Sequence, residues 1–197
     1  MTKKVAIPPM ISDTIASGIA ELDGFLFDAA DRCPYCGGEL RSHDIKQKVF
    51  ARIDTDMIKG INGSAVIDAT ADGNGSGYDK GDGGTDRGRN ISVKVRRRRC
   101  TACGKLVYSK SPFYDGIRTG APIADFCMVN RDLHPPNHIA KILGKLGIIV
   151  TPATVRNILQ SDIPELSNPE NIPSVNIYGI IFPSSLLNIS ERIRRGR

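Results

Sequence analysis

The chain has 197 residues, of which 40% are hydrophobic and 24% are charged, as is typical of a protein that folds around a core. Its net charge is +6, and residues 91–197 carry 16 basic and 7 acidic side chains, against 11 and 14 in residues 1–90. No stretch approaches the roughly 18 consecutive apolar residues of a membrane span. The composition therefore excludes a membrane-spanning helix, and the basic second half favours a polyanionic partner such as nucleic acid.

The N-terminal segment, residues 1–32, shows helical periodicity. Its apolar side chains recur every three or four residues, with Gly18 and Gly24 between them: Ile11, Ile15, Ile19, Leu22 and Leu26. This pattern predicts one or two short amphipathic helices that pack against a core. The N-terminus lacks the continuous apolar stretch of a secretion signal, so we expect a cytoplasmic protein.

Two CxxC motifs, each followed by glycine, provide the strongest chemical signal in the sequence. They are Cys33-Pro-Tyr-Cys36-Gly and Cys100-Thr-Ala-Cys103-Gly. In a reducing cytoplasm, paired motifs of this kind indicate a metal site, since each forms a tight turn that presents two thiolates. Zinc bound by Cys33, Cys36, Cys100 and Cys103 is the prediction that we favour. A rubredoxin-like iron site and a redox-active thiol pair are the alternatives.

The two motifs flank two segments that alternate as strands do. In residues 45–53, one face carries Ile45, Val49, Ala51 and Ile53, and the other carries Lys46, Lys48, Phe50 and Arg52. In residues 91–96, valine and isoleucine alternate with Ser92, Lys94 and Arg96, and the basic run continues to Arg99. These patterns predict a β-hairpin with a basic side within a zinc ribbon spanning 33–115. The Gly- and Asp-rich residues 54–90 are predicted to be a flexible insert.

Three helices are predicted after the ribbon, over Pro122–Leu133, Pro136–Leu146 and Pro152–Gln160. Within 116–162, the last two have the order of a helix-turn-helix, with Gly147 in the turn and Thr151 as the N-cap. An ordinary helical hairpin is the alternative. Predicted phosphate contacts are Lys46, Lys48, Arg52, Lys94, Arg96, Arg97, Arg98 and Arg99, and predicted base contacts are Thr154, Arg156 and Asn157.

Together these motifs resemble the N-terminal region of insertion-sequence transposases and related prokaryotic DNA-binding proteins. The resemblance rests on residues 33–37, 96–105 and 139–159, and covers about 33–160. It implies a zinc ribbon followed by a helix-turn-helix. Such transposases carry three metal-binding carboxylates in a downstream RNase H-like domain, whereas 37 residues follow Gln160 here and the apolar run 175–182 contains no acidic residue. We therefore expect no catalysis.

The sequence thus predicts an α+β fold, in which a zinc-ribbon hairpin with a long inserted loop precedes a helix-turn-helix and a C-terminal tail, 163–197, with one strand-like segment. The predicted function is zinc-dependent DNA binding without catalysis or membrane association, in a transposase-like protein or a transcription regulator. One alternative is a protein-interaction module that docks through the ribbon and residues 177–187, and another is a CxxC redox enzyme. The sequence does not determine the DNA target, and it leaves open whether the protein forms a homo-oligomer.

Overall fold

The computed structural model describes residues 7–28, 32–59, 88–108, 112–166, 169–189 and residue 191. The fold is α+β, as predicted. Its helices are α1 (Pro9–Ala20), α2 (Thr55–Lys59), α3 (Ala121–Val129), α4 (Pro136–Lys145), α5 (Pro152–Leu159) and α6 (Ser184–Leu187). Its strands are β1 (Leu26–Phe27), β2 (Leu40–Asp54), β3 (Gly88–Cys100), β4 (Leu106–Tyr108), β5 (Ser174–Ile177) and β6 (Ile180–Pro183).

The long strands β2 and β3 form the predicted antiparallel pair, which runs from Leu40 opposite Cys100 to Asp54 opposite Gly88. Strand β3 is central, because β1 pairs with its other edge in parallel and β4 pairs with that edge antiparallel. The strands extend into both ends of the predicted insert, and α2 follows β2 directly. The rest of that insert, residues 60–87, lies outside the described residues.

Two bulges change which side chains of β2 are buried. The register shifts between Ser42 and Asp44 and again between Val49 and Ala51, so that Phe50 and Ala51 are both buried. The predicted apolar face is wrong at two positions, since Ile45 is 49% and Val49 is 47% exposed. Phe50, which was assigned to the basic side, is in the core. A bulge adds one residue to one strand, and a strict two-residue alternation cannot anticipate it.

The prediction of helices in the N-terminal segment is confirmed only in the first half of that segment. Helix α1 buries Ile15 and Ile19, but Leu26 lies in β1 instead of a helix. Gly24 adopts a φ of 73° between the two elements, and its amide donates to the Ser92 carbonyl at 2.7 Å. This turn places Leu26 beside Lys94 of β3.

The main hydrophobic core joins the sheet to the helices and to the C-terminal residues. Its largest fully buried side chains are Phe50, Phe126, Phe182, Ile15, Ile19, Ile53, Ile91, Ile123, Ile139, Ile142, Leu143 and Leu146. Because all of these belong to a single packed cluster, β2, β3 and the helix pair α4–α5 are held in one body. The boundaries predicted at residues 32, 115 and 162 stay predictions.

The predicted single strand near the C-terminus is instead the hairpin β5–β6. Its turn places Tyr178 and Gly179 at positive φ, 53° and 82°. The buried side chain of Asn130 accepts a hydrogen bond from the Ile181 amide and donates one to the Ile181 carbonyl, at 2.9 and 2.6 Å. These bonds fasten the hairpin to the end of α3. None of the helices in the described residues has the length and apolar character needed to cross a membrane.

Candidate metal centre and nucleic-acid interface

The two CxxC motifs form turns with the same hydrogen-bond pattern. The Gly37 amide donates to the Cys33 carbonyl at 2.8 Å, and the Gly104 amide donates to the Cys100 carbonyl at 3.1 Å. Both glycines adopt a φ of 71°, which favours glycine. The amides of Cys33 and Cys100 donate to Gly38 and Lys105 respectively, at 2.9 Å each. Each turn therefore presents its two sulfur atoms on one side.

The four sulfur atoms lie within 4.8 Å of one another, although the motifs are far apart in sequence. The Sγ atoms of Cys33 and Cys103 are 3.7 Å apart, and those of Cys36 and Cys100 are 3.5 Å apart. A tetrahedral ion with metal–sulfur bonds of about 2.3 Å places its ligands roughly 3.8 Å apart. The four cysteines could therefore hold one metal ion.

Hydrogen bonding shifts the pKa values of two of the four thiols in opposite directions. The backbone amides of Cys103 and Ala102 stabilise the Cys100 thiolate and lower its pKa to about 6. The Gly38 amide favours the Cys36 thiolate, but hydrogen bonds with the neighbouring thiols outweigh it and raise the pKa of Cys36 to about 12. A bound cation would replace the protons that these sulfurs share, so metal binding here would release protons.

The cysteine end has its own small core, separate from the main one. Leu40 and Val107 pack there with the buried Cys33 and Cys100. Gly38 packs closely against the site, because a Cβ at that position would lie 3.1 Å from the Cys100 sulfur and 3.3 Å from the Cys36 sulfur, and these sulfurs would have to move by a few tenths of an ångström. Two apolar side chains are a small core for a folded unit, so the metal would supply much of its stability.

The predicted basic strands are largely paired with acidic residues. Arg97 forms a bidentate ion pair with Asp44, which faces it across the strands. Arg96 and Arg98 both lie against Asp28, at 3.2 and 2.7 Å. Three of the four consecutive arginines therefore have a carboxylate partner within the protein.

Other predicted phosphate contacts are more accessible. Lys46, Lys94, Arg52 and Arg99 are exposed, and Arg99 donates to the Gly104 carbonyl at 3.2 Å. Lys48 is half-buried, with its Nζ 5.0 Å from the centre of the Phe113 ring and 5.7 Å from that of Tyr108. The hairpin thus offers fewer unpaired cations than its sequence suggests.

Helices α4 and α5 lie close to their predicted ranges, whereas α3 ends at Val129. Gly147 adopts the predicted turn conformation, with a φ of 78°. Thr151 caps α5, since its Oγ1 accepts a hydrogen bond from the Thr154 amide at 3.1 Å, and Pro152 begins the helix.

The turn between these helices pairs with the end of β2. The Ile149 amide donates to the Arg52 carbonyl at 2.8 Å, and the Asp54 amide donates to the Gly147 carbonyl at 2.9 Å. Ile53 and Ile148 form an isolated β-bridge there, and both are fully buried. The long strand therefore fixes the position of the helix pair.

The predicted base contacts of α5 face away from the core. Val155 and Ile158 are buried, while Arg156 and Asn157 are exposed and Thr154 is half-buried. Sequence reasoning missed Arg118, an exposed residue of the loop before α3 that lies beside Thr154 and Asn157 in a cleft. It also missed the ion pairs that Asp28 and Asp44 form with the arginines of β3, since these pairs depend on which distant strands lie side by side.

Compared with protein-family models, curated proteins and solved structures, the chain gives no significant match. The resemblance to transposase N-terminal regions therefore stays a prediction from the sequence motifs.

Proposed function

We propose that this protein binds DNA without catalysing a reaction, and that a zinc ion on its four cysteines holds the hairpin in its binding form. In this proposal, which includes a cytoplasmic location, α4 and α5 act as a helix-turn-helix of the transposase-like or regulator type. The observation that carries it is the exposed polar side of α5, together with the two backbone hydrogen bonds that join the turn before α5 to the end of β2.

Zinc is the metal that suits this site best. Four thiolates in a tetrahedral arrangement leave no open coordination position, which is typical of structural zinc rather than catalytic zinc. The same ligands accommodate iron, and the two metals differ in colour, since a four-thiolate ferric site is intensely red whereas zinc is colourless. A red purified protein would therefore contradict zinc.

DNA binding is supported by the placement of charged and polar groups. Arg and Asn are the side chains that read guanine and adenine edges by paired hydrogen bonds, and Arg156 and Asn157 lie in the exposed middle of the short α5. Lys46 and Lys94 are exposed on the hairpin, where they can contact phosphates. Base reading is therefore assigned to α5, and phosphate contact to the hairpin.

The decisive variant for this assignment is Arg156→Ala. A preferred duplex is first selected from a random library with the wild-type protein, and affinities for it and for single-base variants are then compared. We expect Arg156→Ala to reduce discrimination by about 1–3 kcal/mol at one position, because a bidentate base contact is lost.

Arg131→Ala is the matched control. Arg131 is exposed, and among the described residues its one ion-pair partner is the neighbouring Asp132, at 3.5 Å. This variant should retain full discrimination. If Arg156→Ala also retains it, Arg156 does not read a base.

A second candidate is a protein-interaction module, which the exposed apolar side chains favour. Tyr178 is 74% exposed at the tip of the β5–β6 hairpin, and Val175 is 45% exposed beside it. The paired arginines of β3 also fit a protein with weak affinity for DNA. This candidate predicts little affinity for random duplex DNA at low salt.

A further inference from the structure

Two clefts meet at the loop that joins β4 to α3. The first has a volume of about 320 Å³ and lies between this loop and β2, with Lys48, Val49 and Phe113 in its walls. The second has a volume of about 440 Å³ and lies between the loop and α5, with Thr154, Asn157 and Ser161 in its walls. Ile117 and Arg118 line both. Arg118 therefore stands between the hairpin and the helix assigned to base reading.

Residues 112–120 of this loop are held at both ends, so the backbone position of Arg118 is defined. The Gly120 amide donates to the Phe50 carbonyl of β2 at 2.8 Å, and the Ala121 amide donates to the Pro112 carbonyl at 2.6 Å. The Tyr114 hydroxyl donates to the buried Asp125 of α3 at 2.5 Å. Gly120 also has no room for a side chain, because a Cβ there would overlap the Phe50 ring. A loop pinned in this way needs little further ordering of its backbone when Arg118 binds a ligand.

The chemistry of the clefts favours a phosphate backbone. Arg118 is exposed and forms no ion pair with any described residue, and Lys48 supplies a second cation. Thr119 and Ser161, which line the second cleft, add hydroxyl groups that can donate to phosphate oxygens. The acidic residues nearest in sequence, Asp115 and Asp162, line neither cleft.

The clefts lack the groups that bind single strands. Proteins that hold single-stranded nucleic acid stack its bases on exposed aromatic rings. Among the described residues, Phe113 is the one aromatic side chain that lines either cleft, and it is buried beneath Lys48. The exposed rings of Tyr35, Tyr108 and Tyr178 line neither cleft. Tyr108 lies beside Lys48, but the Lys48 and Arg97 cations already lie 5.7 and 5.9 Å from the centre of its ring.

We infer that these clefts receive the phosphate backbone of double-stranded DNA, and that Arg118 is the contact that links the hairpin to α5. The inference rests on the proposed DNA binding and specifies its substrate as a duplex. One strand of the duplex crosses the loop at Arg118, while α5 faces the adjoining groove.

The test compares Arg118→Ala, Arg118→Lys and the control Arg131→Ala with the wild-type protein. Fluorescence anisotropy measures affinity for a labelled random-sequence duplex and for one of its strands, over a series of salt concentrations. Arg118→Ala should weaken duplex binding about tenfold for all sequences and reduce the log–log salt slope by about 0.9, because one phosphate contact is lost. Arg118→Lys should keep the slope, since the charge remains, and Arg131→Ala should match the wild type.

Two results would overturn this inference while leaving DNA binding intact. One is an unchanged affinity and salt slope in Arg118→Ala, and the other is tighter wild-type binding to the single strand than to the duplex. Failure of the wild-type protein to bind either nucleic acid would instead refute the proposed function together with the inference.

Discussion

Asp28 and Asp44 determine how the arginine run of β3 can act. The Arg97 guanidinium, which hydrogen-bonds Asp44, holds the pKa of that carboxyl below its usual value, so the pair stays ionised at neutral pH. Replacing Arg97 would leave Asp44 without its partner and add a net negative charge to the hairpin. A weaker affinity in that variant would thus mix two effects. Lys46 and Lys94, which are exposed, are better probes of phosphate contact.

At the same scale, the five cysteines separate into four candidate metal ligands and one buried thiol. Cys127 is fully buried in α3, where burial raises its pKa to about 12. Cys33→Ser should abolish stoichiometric zinc, because one of four thiolates is lost, whereas Cys127→Ala should retain about one zinc per chain. Elemental analysis of both purified variants checks this. Equal zinc content in the two would show that Cys33 is not a ligand.

At the scale of elements, the two ends of the β2–β3 hairpin pack in two separate hydrophobic cores of different size. One end packs Ile91, Val93 and Val95 into the main core. The other relies on Leu40, Val107 and the cysteine turns. Removal of the metal should therefore loosen the second end and leave the first folded.

Hydrogen exchange with and without a chelator measures this difference. Chelation should speed amide exchange in residues 32–42 and 98–107, because their hydrogen bonds depend on the cysteine turns. Exchange in α3 and α4 should change little, since those helices pack in the main core. Uniformly faster exchange across all helices would mean instead that the metal supports the whole fold.

The elements that the sequence predicts well are those encoded by a few neighbouring residues. The CxxCG turns and the Thr151–Pro152 helix start are local signals, and the structure contains both. Strand β1 was missed because it forms by pairing with Lys94 and Val95, far along the chain. The sequence did not predict the bulge at Phe50 for a related reason. The buried ring of Phe50 packs against Phe113 and Gly120, which are far along the chain.

In the candidate site, too, the sequence predicts the features that neighbouring residues encode and misses those that distant segments form. The four cysteines could be grouped from their spacing, because each motif carries its own turn. The carboxylate partners of the arginines depend on strand register, and Arg118 is placed by contacts of its loop with β2 and α3. Such contacts between distant segments have no signature in a single sequence.

At the scale of the whole molecule, β2 connects the two candidate functional regions. One end lies beside the cysteine turns, where Leu40 pairs with Cys100, and the other end bonds the turn between α4 and α5. The cation at Arg118 lies between them. In the proposed function, the metal end and the helix pair both contact the DNA, and loss of the metal should weaken DNA binding without unfolding α5.

Zinc-dependent DNA binding is tested most directly by the affinity of the zinc-loaded protein for a random-sequence duplex. The affinity is measured by anisotropy over a range of salt concentrations, before and after chelation. We expect binding at low salt with a negative log–log slope of about 0.9 for each phosphate contacted. Chelation should weaken binding, and added zinc should restore it. Absence of binding at low salt by the zinc-loaded protein, or binding that chelation leaves unchanged, would contradict zinc-dependent DNA binding.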